Sequence, residues 1–322
     1  MTLGRRQFVG IGAAMGALAS APGMAAGLKS ASTRIPLWIE GAPEPAPAGL
    51  RERFEDRAKP GATPDRALTG VSTPWLEHFA PKRPTGAALI AIPGGGYHHM
   101  AWDKEGLDIA RLFAARGIAS FALAYRLTQE GWPDGLDAPL ADAQRAVRLI
   151  RSRAAEFDID PARIAVVGFS AGGHLTANLA AQFDRVTYAP RDAADRLSAR
   201  PDLAAPIYPA VMLERLAAAM PAGQPLFGVP MSAETLALHS PDRQARSDAP
   251  PHFLVHAEDD PLVGAEHSLA LRSALFARKV PVETHLFARG GHGFGVRNTA
   301  GLPVADWPQR LLAYGRTTGW MT

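Results

Sequence analysis

The chain has 322 residues, which is long enough for one large α/β domain or two small ones. Of these residues 47% are apolar and 20% charged, as in an ordinary globular protein. The 34 Lys and Arg residues nearly balance 31 Asp and Glu, and a net charge of only +3 gives no indication of binding to nucleic acid or to an anionic membrane. The chain contains no cysteine, which excludes disulfides, thiolate metal ligands and a cysteine nucleophile.

The first 26 residues have the pattern of an export signal. Arg5 and Arg6 precede an apolar run rich in Gly and Ala, and small-residue cleavage sites follow at 19–21 and at 24–26. The arginine pair together with Phe8 is similar to a twin-arginine signal, which predicts that the twin-arginine export machinery is a partner and that the protein is periplasmic or secreted. The apolar run is too short to cross a bilayer, so no stable membrane insertion is expected.

Residues 27–85 are predicted to form an N-terminal arm with leading strands, and residues 86–322 the core that carries the functional site. Within the arm, 41–64 is rich in Pro, Gly and charge, which indicates an irregular segment over the surface. Short apolar runs then predict strands at 87–92, 118–124, 164–167, 203–208, 253–256 and 282–287. Helices are predicted from Ile109 to a stop at Gly117, at 140–154, directly after Ser170, at 266–279 and at 307–314.

This alternation of strands and helices defines the fold class. The strands are continuously apolar instead of alternating, as expected when both faces of a sheet are covered. We therefore predict an α/β fold with a mostly parallel central sheet and helices on both faces. In such sheets the functional site forms at the carboxyl ends of the strands.

The sequence Gly-Phe-Ser-Ala-Gly at 168–172 lies between a predicted strand and a predicted helix. In that context a G-x-S-x-G pattern predicts a strained turn that presents Ser170 as a nucleophile, with small neighbours relieving the crowding. The alternative is that Ser170 merely caps the helix. Three further features, in the expected chain order, favour the nucleophile.

Two of these features are an acid and a histidine. A serine hydroxyl needs a base to remove its proton, and the base is usually a histidine oriented by a carboxylate. Asp260 and His292 follow Ser170 in chain order, each just beyond the end of a predicted strand. Asp259 competes with Asp260, and Glu258 is a weaker candidate. Asp260 is preferred because the proline that follows it fixes the turn.

The third feature is a glycine-rich loop, Pro-Gly-Gly-Gly-Tyr at 93–97, that follows the predicted strand 87–92. Glycines let backbone N–H groups approach a substrate, so the N–H groups of Gly95 and Gly96 are predicted to form an oxyanion hole with that of Ala171. The alternatives are a plain glycine-rich turn and a phosphate-binding loop, but the Gly-Lys-Ser/Thr ending of phosphate-binding loops is missing.

Aromatic and histidine side chains follow the same loop. Tyr97, His98, Trp102 and Trp132 are predicted to bind substrate, because aromatic residues on exposed loops suit stacking on sugar rings. The alternative is that Trp102 and Trp132 only pack the loops. His98 and His99 are adjacent, but no second cluster of ligands at a suitable spacing accompanies them, so neither a metal nor a cofactor is predicted.

Together these segments resemble secreted α/β-hydrolase carbohydrate esterases of the acetylxylan-esterase and bifunctional acetyl- and feruloyl-esterase type. The matching segments are 93–97, 104–106, 125–127, 139–140, 142–146, 168–174, 260–263 and 291–295, and the likeness extends from about residue 35 to the C-terminus.

The resemblance implies an α/β-hydrolase fold with Ser170 as nucleophile, Asp260 as orienting acid and His292 as base. It also implies an acetylated carbohydrate or a small ester as substrate, with no cofactor required. Three alternatives stay open: a general short-chain carboxylesterase, a peptidase of the same fold, and a sugar-binding relative without turnover.

Overall fold

The computed structural model describes residues 32–222 and 224–322, so the predicted export signal at 1–26 lies outside the described residues. The strands are β1 Ser32–Pro36, β2 Arg53–Asp56, β3 Arg66–Thr69, β4 Trp75–Phe79, β5 Gly86–Ile92, β6 Met100–Ala101, β7 Ala119–Ala124, β8 Ile159–Phe169, β9 Leu203–Ile207, β10 His252–Ala257 and β11 Val282–Phe287. The helices are α1 Asp108–Ala114, α2 Asp137–Ser152, α3 Ala171–Ala181, α4 Leu213–Ala219, α5 Ala233–Leu238, α6 Glu266–Ala277 and α7 Trp307–Thr317, and a π-helical turn, Trp102–Leu107, precedes α1. No helix in the described ranges has both the length and the apolar character needed to cross a membrane.

Eight strands form the central sheet in the order β1-β4-β7-β5-β8-β9-β10-β11. All neighbouring pairs from β7 to β11 are parallel. At the other edge, β4 runs antiparallel to both of its neighbours, β1 and β7. Residues from α2 and α3 pack with Ile90 and Val166 on one face, whereas residues from α1 and α7 pack with Leu89 and Val167 on the other. Successive strand residues thus enter opposite cores, and the predicted mostly parallel sheet with helices on both faces is confirmed.

The N-terminal segment is more ordered than the sequence predicted. β2 lies inside the supposedly irregular stretch 41–64 and pairs with β3, which pairs with β6 in a second, three-stranded sheet. The prediction of an irregular arm is therefore wrong for these residues. Because β2 reads Arg-Phe-Glu-Asp and is largely exposed, it has no apolar run to mark it.

A buried ion pair between Arg126 and Asp142 joins the end of β7 to helix α2 and also binds Trp38 of the N-terminal segment. Arg126 and Asp142 are fully buried, with Arg126 Nε 3.0 Å from Asp142 Oδ2, and the Trp38 indole N–H donates to Asp142 Oδ1 over 2.9 Å. The neighbouring Tyr125 hydroxyl donates to the Pro93 carbonyl over 2.7 Å. Breaking a buried pair leaves an uncompensated charge, so the pair holds helix α2 against Arg126, whose neighbour Tyr125 contacts the start of the glycine-rich loop.

Histidines that are buried in the neutral form make stability depend on pH, and His174 and His252 are two of them. Burial lowers the pKa of His174 from 6.5 to about 3 and that of His252 from 6.5 to about 4. The unfolded chain therefore binds protons below pH 6.5 that the folded chain does not, so the contribution of each histidine is complete above pH 6.5 and is lost as the pH falls towards 4 and 3. We expect urea unfolding to give a free energy about 2 kcal/mol lower per histidine at pH 5 than at pH 7.

His252→Gln isolates one of the two contributions. The His252 ring bonds only through Nδ1 to the Pro250 carbonyl over 2.7 Å, a contact remote from the glycine-rich loop. In this variant the loss of unfolding free energy between pH 7 and pH 5 should shrink by about 2 kcal/mol. An unchanged loss would mean that His252 does not titrate as argued.

Candidate active site

Ser170 lies on a strained turn between β8 and α3. Its backbone adopts φ 53° and ψ −115°, which is costly for a residue with a side chain, and its hydroxyl makes no capping hydrogen bond to the helix. Gly172 follows on α3, where a Cβ atom would lie 2.2 Å from the Ile92 carbonyl oxygen, so only glycine permits this approach of helix to strand. The structure therefore matches the predicted elbow and not the helix-cap alternative.

The three residues proposed from chain order are joined by hydrogen bonds. His292 Nε2 is 2.8 Å from Ser170 Oγ, and His292 Nδ1 is 2.7 Å from Asp260 Oδ2. An ionised carboxylate only accepts, so the Nδ1–H of His292 donates to Asp260 and Nε2 is left to accept the serine proton. The side chains stand at the ends of β8, β10 and β11, which lie near one another in the sheet.

Asp260 is buried yet remains ionised. Burial alone would raise its pKa, but hydrogen bonds from His256, from His292 and from the Val263 N–H outweigh that effect and hold the pKa well below its ordinary value. Its Oδ1 accepts the N–H groups of Leu262 and Val263, each over 2.9 Å. His256, fully buried with Nε2 3.4 Å from Asp260 Oδ2, is a member of this site that the sequence analysis missed.

The rival acid, Asp259, has a different place. Its Oδ1 accepts the N–H groups of Gly290 and Gly291 over 2.8 and 2.7 Å, so it holds the loop that carries His292 without touching the imidazole. Glu258 is exposed. The contacts therefore favour Asp260, and not its two neighbours, as the partner of His292.

A cavity of about 460 Å³ opens at Ser170 and His292, a size that suits a small ligand. Gly95, Gly96 and Ala171 line it beside the serine, as the predicted oxyanion hole requires. Gly95 has φ 128°, and a Cβ there would lie 2.1 Å from the His99 carbonyl oxygen, so the loop conformation depends on glycine.

The predicted substrate-binding aromatics do not line this cavity, and the expectation that they are exposed is wrong for three of them. Tyr97, Trp102 and Trp132 are at most 3% exposed. Trp102 packs edge-on against Trp75 in the core, and Trp132 lies 5.1 Å from the buried Arg126 guanidinium. For both tryptophans the loop-packing alternative is the observed one, because buried apolar surface stabilises the loops.

The other two residues of that group are held by polar contacts. The Tyr97 hydroxyl lies 2.8 Å from His174 Nδ1, deep beneath the glycine-rich loop. His98 is exposed, as predicted, but it does not line the cavity, and its Nε2 accepts from the Gln129 amide over 2.6 Å. It is His99, and not His98, that lines the cavity.

Several cavity residues had not been predicted. The insertion between β9 and β10 contributes an apolar wall, which consists of Leu216, Leu226 and Phe227 and continues into Leu262 and Val263. A polar part of the lining contains Arg57, His99, Lys104 and Glu105. Neither short helices nor isolated charges carry a periodic signal, so only tertiary structure brings these side chains to the serine. Among the described residues, no group of three or more His, Asp or Glu side chains is arranged to hold a metal ion.

A serine on a strand–helix elbow, bonded through histidine to a carboxylate at the carboxyl edge of a mostly parallel sheet, is the arrangement of α/β-hydrolases. Comparison with known proteins agrees. The BD-FAE family model matches residues 79–275, more than half of the chain, and the chain belongs to the BD-FAE family of α/β-hydrolase esterases. The resemblance noted in the sequence is thereby confirmed.

Individual relatives point the same way. The chain is 35% identical over 210 residues to endo-1,4-beta-xylanase B of Butyrivibrio fibrisolvens, covering 65% of this chain and 33% of that protein. It is 27% identical over 226 residues to an acetylxylan esterase of Xylanibacter ruminicola, covering 67% and 43%. The chain thus spans less than half the length of these curated relatives. A solved structure, the acetyl ester-xyloside bifunctional hydrolase from Caldicellulosiruptor lactoaceticus, is similar with a TM-score of 0.71 and 31% identity over 90% of this chain and 97% of that one.

Proposed function

We propose that this protein is a serine esterase that removes acetyl groups from plant-type polysaccharides or their oligosaccharides. One observation carries the proposal: the hydrogen-bonded series Ser170–His292–Asp260 opens into a cavity lined by Gly95, Gly96 and Ala171. A nucleophile, its base and backbone N–H groups are the parts that acyl transfer requires.

In the first half of the reaction, His292 Nε2 takes the proton of Ser170 while Oγ attacks the acetyl carbonyl carbon. The N–H groups of the glycine-rich loop and of Ala171 stabilise the negative charge that develops on the carbonyl oxygen. Asp260 stays ionised and stabilises the imidazolium that forms. The tetrahedral intermediate then collapses, the ester C–O bond breaks, and the alcohol leaves with the proton from His292.

In the second half, a water molecule replaces the alcohol. His292 takes a proton from the water, whose oxygen attacks the acetyl-serine carbonyl, and collapse of the second tetrahedral intermediate releases acetate and returns the proton to Ser170. Each proton that His292 accepts is given back, so the cycle needs no cofactor.

The substrate class rests on the relatives and on the site together. A xylanase, an acetylxylan esterase and an acetyl ester-xyloside hydrolase are similar to the chain, which supports an acetylated sugar. The cavity has a polar wall, with Arg57 and Lys104, that can donate hydrogen bonds to sugar hydroxyl oxygens, and it also has an apolar wall. That apolar wall also suits the alkyl part of a simple ester, which makes a short-chain carboxylesterase the second candidate.

The deciding experiment compares acetate release from acetylated xylo-oligosaccharides with hydrolysis of an aryl acetate, with the Ser170→Ala variant as the blank. We expect Ser170-dependent release from the sugar, with kcat/KM above that for the aryl acetate. Turnover of the aryl acetate alone would favour the general carboxylesterase. Binding of acetylated oligosaccharide without any hydrolysis would instead indicate a sugar-binding relative.

We also propose that residues 1–26 direct export through the twin-arginine machinery to the periplasm or the medium. The support is the pattern around Arg5 and Arg6 and the small residues that follow. N-terminal sequencing of the processed protein tests this, because a start near residue 22 or residue 27 is expected, and a protein that keeps its first residues would contradict export.

A further inference from the structure

Glu105 is a buried carboxylate for which the reaction above has no use. It lies on the π-helical turn that precedes α1, is 3% exposed, and lines the cavity beside the glycine-rich loop. π-Helical turns are rare and occur frequently at functional sites. A buried carboxylate is costly unless it is well bonded, so its partners show what it does.

Its two oxygens bond to two different parts of the site. Oε2 accepts the Gly94 N–H over 2.9 Å, near the start of the glycine-rich loop, residues 93–97, which is called the oxyanion loop from here on. Oε1 accepts the Tyr208 hydroxyl over 3.0 Å, and that hydroxyl in turn accepts the Gly295 N–H over 3.1 Å, at the end of the histidine loop, residues 290–295. A single carboxylate thus connects the loop of the oxyanion hole with the loop of the base.

Tyr208 strengthens this connection. It is fully buried, follows β9 with a positive φ of 40°, and its ring packs 5.0 Å from that of His292 and 4.5 Å from that of Phe294. A non-glycine residue keeps such a backbone only where its surroundings determine it. Burial first and Glu105 second raise the pKa of Tyr208 well above its ordinary value, so its hydroxyl remains a donor.

We propose that Glu105 is a positioning residue that sets the distance between the oxyanion loop and the histidine loop. The inference rests on the proposed esterase function, because only there must N–H donors and an imidazole act on the same carbonyl group. The N–H donors of the oxyanion loop act on charge that appears in the transition state, so their misplacement lowers kcat more than it changes KM. Displacements of about 1 Å at such sites reduce rates by about 100-fold.

Three variants test the role through steady-state kinetics on an aryl acetate. Glu105→Ala removes both contacts and should lower kcat by about 100-fold with KM within about threefold of wild type. Glu105→Gln keeps the shape but replaces one acceptor oxygen by an NH₂ group, so either the Gly94 N–H loses its acceptor or the hydrogen bond with the Tyr208 hydroxyl must reverse its direction, and kcat should fall by about 10-fold. Tyr208→Phe keeps the ring against His292 and removes only the link to Gly295, so we expect a fall of about 10-fold. The connection from Glu105 to the histidine loop runs through Tyr208, so removing both side-chain groups should cost little more than removing Glu105 alone. We expect kcat of the double variant Glu105→Ala/Tyr208→Phe to lie within about threefold of that of Glu105→Ala.

Asp103→Asn is the matched control. Asp103 lies on the same turn and is also 3% exposed, but its carboxylate accepts from the Arg66 guanidinium, with Nη2 2.7 Å from Oδ1, and its side-chain hydrogen-bond partners among the described residues include no residue of either loop. This variant should melt at a lower temperature with kcat within about twofold of wild type. If it lowers kcat as much as Glu105→Ala does, Glu105 supports only the turn and the proposal is wrong.

Hydrogen exchange tests the connection without relying on activity. In Glu105→Ala, backbone amides in peptides covering 93–101 and 288–297 should exchange faster than in wild type, whereas Asp103→Asn should leave both peptides unchanged. Unchanged exchange in both peptides, or kcat within threefold of wild type in both Glu105 variants, would overturn the proposal. A wild-type protein that hydrolyses no ester would refute the esterase function instead, and the exchange result would still decide whether Glu105 joins the loops.

Discussion

Replacing Ser170 by alanine should lower kcat for an acetyl ester by about 10⁶-fold, and His292→Ala should lower it by a similar factor. The two side chains form one unit through the 2.8 Å contact between His292 Nε2 and Ser170 Oγ, and neither is a useful catalyst without the other. The double variant should therefore be no slower than either single variant. Burst and steady-state kinetics on an aryl acetate, with the wild-type protein as reference, measure all three.

The control for these variants is an ordinary serine. The Ser273 hydroxyl bonds to the Leu269 carbonyl on the outer part of α6, and Ser273→Ala should keep kcat within about twofold of wild type. Thermal melting of Ser170→Ala should stay within a few degrees of wild type, because the Ser170 hydroxyl makes no helix-cap bond. Ser170→Ala with more than a few per cent of wild-type activity would show that another group is the nucleophile.

The parts of the site that could be predicted from sequence are those that backbone geometry imposes on neighbouring residues. The elbow of Ser170 needs glycine at 172 because the Ile92 carbonyl lies so close, and such a constraint is local enough to leave a pattern in the sequence. Asp260 and His292 were found because parallel strands bring their carboxyl ends to one edge of the sheet. The central strands were found because both of their faces are buried, which makes their sequences continuously apolar.

The parts that could not be predicted depend on contacts between distant segments. His256 lies inside β10 and reads as a polar interruption of a strand, yet its imidazole reaches Asp260. Glu105 and Tyr208 are 103 residues apart and meet only because the sheet order places β9 near the oxyanion loop. Trp102 and Trp132 illustrate the opposite error, since an aromatic residue in a loop has the same sequence signal whether it is exposed or buried.

The second large effect distinguishes the two adjacent aspartates. Asp260→Asn should lower kcat by about 10⁴-fold, because an amide NH₂ facing His292 Nδ1 favours the tautomer with the proton on Nε2, which then cannot accept the serine proton. The neutral asparagine also provides no negative charge to stabilise the imidazolium that forms on His292. The unfolding free energy should change little, since the amide oxygen can still accept from Leu262 and Val263.

Asp259→Asn is the matched comparison, because the same substitution one residue earlier changes a side chain that does not contact His292. Asp259 only accepts hydrogen bonds, from the Gly290 and Gly291 N–H groups, and an amide oxygen accepts them as well, so kcat should remain within about tenfold of wild type. The contrast between the two variants, and not the size of either effect alone, identifies the residue that orients His292. A 10⁴-fold loss confined to Asp259→Asn would transfer that role to Asp259 and contradict the 2.7 Å contact between His292 and Asp260 as the catalytic one.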